Sequence, residues 1–91
     1  MKRSNKNDIS ELINAILSLE NADECARFLE DLCTYKEIDS MVQRLCVAKL
    51  LKEGKTFQDI VDKTGASTAT ISRVNRCLLY GNGGYDSVLS K

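Results

Sequence analysis

The sequence predicts an all-α fold, a single helical domain with a helix-turn-helix in its second half. Three observations carry this. Apolar residues recur at three- and four-residue spacing along most of the chain, and no segment shows the alternation of a half-buried strand. A capping residue followed three positions later by an acidic one appears at Asp8/Glu11, Asn21/Glu24, Thr34/Glu37 and Thr56/Asp59. Glycines stand where such helices must stop, at Gly54, Gly65 and Gly81, and the chain contains no proline.

The first helix, opened by Asp8 and Glu11, carries Ile9, Leu12, Ile13, Ile16 and Leu17 on one side. A helix this short is unstable alone and must dock on something. The second starts at Asn21 and places Cys25, Phe28, Leu29 and Leu32 on a common stripe. The third runs from about Tyr35 to Glu53 and is of another kind. Between Met41 and Leu51, eight of eleven residues are apolar, spread around most of the circumference. Such a helix is expected to be buried on nearly all sides. A 91-residue chain has few other elements to cover it. A homodimer whose core is built by the N-terminal half is therefore expected, against a monomer with this helix as its central rod.

Residues Thr56 to Leu79, TFQDIVDKTGASTATISRVNRCLL, read as helix, tight turn, helix. Thr56 and Asp59 open the first helix, Gly65 closes it, and Ser67 caps the second. This spacing is that of a helix-turn-helix. On the second helix Ile71, Val74, Asn75 and Leu78 form an inward stripe. Ala69, Ser72, Arg73 and Arg76 form the opposite one, small and polar near the N-terminus and basic further on. Small residues let a helix approach base edges in a major groove, and arginines reach guanine or phosphate. The competing reading is an ordinary solvated face. Lys55 and Lys63 flank the motif and, with the capping hydroxyls of Thr56 and Ser67, are candidates for phosphate contacts. After Leu79, Gly81-Asn82-Gly83-Gly84 makes a turn, and Tyr85 to Leu89 makes a last helical turn that returns Tyr85, Val88 or Leu89 to the core. The glycines lack the Lys-Ser/Thr of a phosphate-binding loop.

The expected organisation is a disordered basic tail over 1–7 and one helical domain over 8–91. Within it, 8–54 forms the dimerisation core, 56–79 the DNA-binding motif, and 80–91 the turn and short final helix. The tail, MKRSNKN, is a disordered terminus or else an arm that reaches DNA. Net charge is zero, yet residues 1–40 sum to −4 and residues 41–91 to +4, which favours an anionic partner for the half that holds the helix-turn-helix.

With no histidine and no C-x-x-C spacing among Cys25, Cys33, Cys46 and Cys77, a zinc site is not expected, and buried free thiols are. No cofactor is called for. No secretory signal or membrane span is seen, so a cytoplasmic location is expected. Nothing supplies the nucleophile, base and pocket of an enzyme. The rival to a DNA-binding regulator is a helical protein-interaction module served by the acidic N-terminal half.

The stretch LLKEGKTFQDIVDKTGASTATISRVNRCL, from Leu50 to Leu78, resembles the Trp repressor family in its paired leucines, its turn and its GA-x-x-AT-I-[ST]-R core. A closer likeness, to the Trp-repressor-related proteins of the YerC/YecD type, adds Met41-Val-Gln-Arg44 and Gly81-Asn-Gly-Gly-Tyr85 and covers nearly the whole chain. The resemblance implies a bacterial, all-helical, intertwined homodimer that presents two recognition helices to a palindromic double-stranded DNA operator. It assigns DNA contacts to Gln58, Thr68, Ala69, Thr70, Ser72 and Arg73. It also implies a co-repressor site in which tryptophan lies between two arginines. Arg73 matches the second of these, but Gln43 stands where the first would be, and Arg44 points about 100° away around a helix. Pocket-lining positions fall near Cys33 and Glu30, and Glu30 would repel a carboxylate. Regulation without tryptophan is expected, with or without another small-molecule effector.

Overall fold

In the computed structural model, which describes residues 5–91, six helices follow one another: α1 (Lys6–Leu17), α2 (Ala22–Leu32), α3 (Tyr35–Lys52), α4 (Phe57–Thr64), α5 (Thr68–Tyr80) and α6 (Gly84–Leu89). The described residues contain no strand. The all-α expectation holds. The backbone divides into two compact units, one ending at Tyr35 and one spanning Lys36–Lys91.

In the first unit, α1 begins ahead of the expected Asp8. Its cap is Asn5, whose side chain accepts the Asp8 amide at 2.9 Å, and the Asp8 carboxylate takes the Asn5 amide in return. Asp8 is thus the third helical residue of a capping box opened by Asn5, a reading its spacing allows equally well. Part of the basic tail, residues 1–4, lies outside the described residues, while Lys6 and Asn7 already belong to α1. Asn21 caps α2 as expected, accepting the Glu24 amide at 2.9 Å, and the Glu24 carboxylate reaches the Glu20 amide rather than that of Asn21. Neither α1 nor α2 holds a buried residue, and Ile9, Leu12, Ile13, Ile16, Leu17 and Leu32 are all exposed.

The second unit holds the core. Val47 and Ala48 of α3, Ile60 of α4, Ala66 of the turn, and Ile71 and Val74 of α5 are fully or almost fully buried. Leu50, Leu51, Val61, Leu78, Tyr85 and Leu89 pack around them. Of the residues expected to fold back from the C-terminus, Tyr85 and Leu89 do so and Val88 stays exposed. Lys52 of α3 and Asp86 of α6 form an ion pair across the same unit. Being half-exposed, it contributes little to stability.

α3 is the helix expected to need a second copy of the chain for its cover. It is not covered on nearly all sides by its own chain, for Met41, Val42, Leu45 and Cys46 are exposed. The helices of the second unit reach only the face that carries Val47 and Ala48. The expectation of buried thiols is corrected. Cys46 and Cys77 are exposed and Cys25 and Cys33 half-buried, all four unpaired.

Two glycines place the helix-turn-helix. At Gly54, φ is +82°; its amide bonds to the Leu51 carbonyl at 3.0 Å and that of Lys55 to Leu50 at 3.1 Å. This pair of bonds is the Schellman stop, which needs a left-handed residue. Gly65 closes α4 in the same conformation, with φ +71°.

Candidate nucleic-acid interface

The helix-turn-helix is assembled from local chemistry. Thr56 accepts the Asp59 amide at 3.1 Å while Asp59 takes the Thr56 amide at 3.3 Å, a complete capping box. After the left-handed Gly65, Ala66 drops into the core. Ser67 then caps α5, its hydroxyl oxygen accepting the Thr70 amide at 3.1 Å and its hydroxyl donating to the Thr70 oxygen at 3.1 Å. No acidic residue stands in the first turn of α5, so no carboxylate of that turn offsets the positive end of its dipole.

Burial of Ile71 and Val74 fixes the rotation of α5 about its axis. Thr68, Ala69, Ser72, Arg73 and Arg76 are thereby left exposed, and Asn75 and Leu78 are half-buried. The two stripes read in the sequence are real. Thr70 differs from its neighbours: it is half-buried and its hydroxyl is engaged by Ser67. On α4, Gln58 is exposed, and its amide donates to Asp62 at 2.9 Å, which leaves its second N–H and its carbonyl oxygen unengaged. Lys55, Thr56, Lys63 and Ser67 are exposed at the ends of the two helices, with both hydroxyls held in caps. Arginines on an exposed face suit phosphate or guanine, and small residues ahead of them leave room for close approach.

Two features were not read from the sequence. Gln43 is half-buried and donates from Nε2 to the Thr64 carbonyl at 3.3 Å, joining α3 to the end of α4. Its partner lies 21 residues away, beyond the reach of any local spacing rule. The second is an open groove of about 600 Å³ bounded by Met41, Arg44, Leu45, Cys77, Tyr85 and Val88. The glycine run marks its rim: a side chain at Gly81 would run into the Cys77 carbonyl. Among the described residues no cluster of His, Cys, Asp and Glu could hold a metal ion, and no helix is long and apolar enough to cross a membrane.

Fold and exposed face together define an all-helical protein of the helix-turn-helix class. The chain belongs to the Trp repressor family: the family model described as Trp repressor protein matches residues 7–91. This is a family of helical DNA-binding regulators. Over 84 residues the chain is 55% identical to the uncharacterized protein YerC of Bacillus subtilis, covering 92% of this chain and 81% of that one. A TrpR-like protein from Eubacterium eligens has a crystal structure that superposes with a TM-score of 0.90 at 56% identity, over 93% of this chain and 88% of that one. A putative Trp repressor from Staphylococcus aureus gives 0.89 at 51% identity, over 94% and 86%.

Proposed function

We propose that this protein is a sequence-specific transcriptional repressor that binds a palindromic operator as a homodimer and does not respond to tryptophan. The observation that carries the reading is the division of α5, with Ile71 and Val74 buried on one side and Ala69, Ser72, Arg73 and Arg76 exposed on the other. Exposed apolar residues on α1 and α3 support the homodimer. A chain that leaves Ile9, Leu12, Ile13, Ile16, Val42 and Leu45 in water presents more apolar surface than one soluble domain ordinarily does. Two recognition helices related by a two-fold axis read a two-fold symmetric site. The change of ligand response rests on Gln43, a neutral amide already engaged by a backbone carbonyl and unable to offer a carboxylate a charge.

Selection of bound sequences from random duplex DNA, with purified protein and no added ligand, is the test. The expected product is an inverted repeat bound with strongly salt-dependent affinity, because each phosphate contact releases counterions. Recovery of no sequence preference at any salt concentration would favour the protein-interaction module instead. Operator affinity is expected to be the same with and without millimolar tryptophan. A tenfold tightening, about 1.4 kcal/mol of coupling, contradicts that part of the proposal.

A further inference from the structure

We infer that Gln43 is a positioning residue for the reading motif, a built-in tether that holds the α4–α5 turn against α3 so that α5 is set for DNA without a bound effector. The inference rests on the DNA-binding reading for its purpose, while its structural part stands on the hydrogen bonds alone.

The last carbonyls of a helix have no donor within the helix. Thr64 is the final residue of α4, and its carbonyl receives the Gln43 amide. A carbonyl only accepts, so the amide must present its NH₂ side. The rest of the turn is tied down around this point. The Thr64 hydroxyl donates to the Ile60 carbonyl at 2.7 Å and accepts the Ala66 amide at 3.1 Å. The Gly65 amide returns to Val61 at 2.9 Å. All three bonds lie within the α4–α5 segment and would move with it. Gln43 reaches the turn from outside that segment, from α3. Only Gly65, Ala66 and Ser67 separate the tether from Thr68 and Ala69, the first residues of the exposed reading face. A turn fixed before binding spares the complex the cost of ordering it.

The hydrogen bond is separable from the core. Gln43 is half-buried and stands outside the apolar cluster that holds Ile60, Ala66 and Ile71. Losing the donor should therefore loosen the turn locally rather than unfold the unit.

Three variants of the full chain test this. Gln43→Met keeps the length without a donor. Gln43→Glu keeps the shape but offers an acceptor, and Gln43→Lys restores a donor. Native-state hydrogen exchange of the hydrogen-bonded turn amides, those of Gly65, Ala66, Thr70 and Ile71, without DNA, is the first readout. Affinity for the selected duplex is the second. Gln43→Met and Gln43→Glu should exchange roughly three- to tenfold faster at these amides, the scale of one net hydrogen bond, with protection elsewhere unchanged. Duplex affinity should fall by a similar factor in Gln43→Met, the variant that leaves the charge unchanged. Gln43→Lys should restore protection; exchange decides the rescue, because an added charge changes DNA affinity by itself. Unchanged exchange in Gln43→Met and Gln43→Glu, or faster exchange spread evenly over all helices, overturns the tether. Wild-type protein that binds no duplex refutes the DNA reading while the exchange arm still decides the tether.

Discussion

The two units of this chain use the same local signals to different ends. The first, containing α1 and α2, has well-made caps at Asn5 and Asn21, and among its described residues none is fully buried. The second, from Lys36 onward, has equally good caps at Thr56 and Ser67 and closes them over Ile60, Ile71, Val47 and Val74. A cap decides where a helix starts. It contributes about 1 kcal/mol and says nothing about what the helix rests on. An amphipathic helix gains most of its stability from a covered apolar face. The second unit can draw that stability from its own chain. The first has apolar faces of the same kind, and within the chain they reach only half-burial, at Cys25, Phe28 and Leu29, while Ile9, Leu12, Ile13 and Ile16 stay exposed.

Substitution of core residues should give the largest contrast. Ile71→Ala, at a fully buried position, is expected to cost about 2–5 kcal/mol in chemical denaturation. The cost should persist at every protein concentration, because the cavity lies within one chain. A loss below about 1 kcal/mol would mean that the second unit is looser than its packing implies.

The first unit should respond in another way. Ile13→Asp places a charge on the exposed face of α1, where a monomer would feel little. In a homodimer closed over that face, the thermal midpoint should drop, the protein should sediment as a monomer at micromolar concentration, and wild-type stability should rise with concentration. A wild-type midpoint independent of concentration, together with a harmless Ile13→Asp, would show that the first unit is simply left open.

Within the second unit, the reading face can be separated from its flanks. Arg73→Ala should cost about 1–3 kcal/mol of preference for the selected operator over random DNA. Lys63→Ala should weaken both alike and lower the salt slope by about one per protomer, so by about two for the homodimer. Uniform losses from both variants in competition binding would remove Arg73 from base reading. Thr70→Val should act mainly on stability, since the Thr70 hydroxyl is joined to the Ser67 cap.

The smallest effects concern the caps themselves. Asn21→Ala and Ser67→Ala should each cost about 1 kcal/mol by denaturation. Only Ser67→Ala should also reduce DNA affinity, because Ser67 sets the start of α5. Equal effects of the two on DNA binding would break the distinction between a cap that positions a reading face and one that merely begins a helix.

The sequence by itself determined what acts within about four residues. The caps at Asn21, Thr56 and Ser67, the left-handed stops at Gly54 and Gly65, and the two stripes of α5 were all legible, since helical hydrogen bonds and side-chain neighbours recur at that spacing. Local spacing was ambiguous where two caps competed, and Asn5 rather than Asp8 opens α1. The tertiary structure decided which apolar residues are covered. On α3 the pattern offered Met41, Val42, Leu45, Val47 and Ala48 alike, and only the last two are buried. Hydrophobicity marks a residue as able to be buried, while burial depends on which surface arrives to cover it. It likewise decided that Tyr85 and Leu89 pack inward while Val88 does not, and that Gln43 finds its acceptor on a helix 21 residues away. Such partners are set by how helices meet, and no periodicity along the chain encodes that.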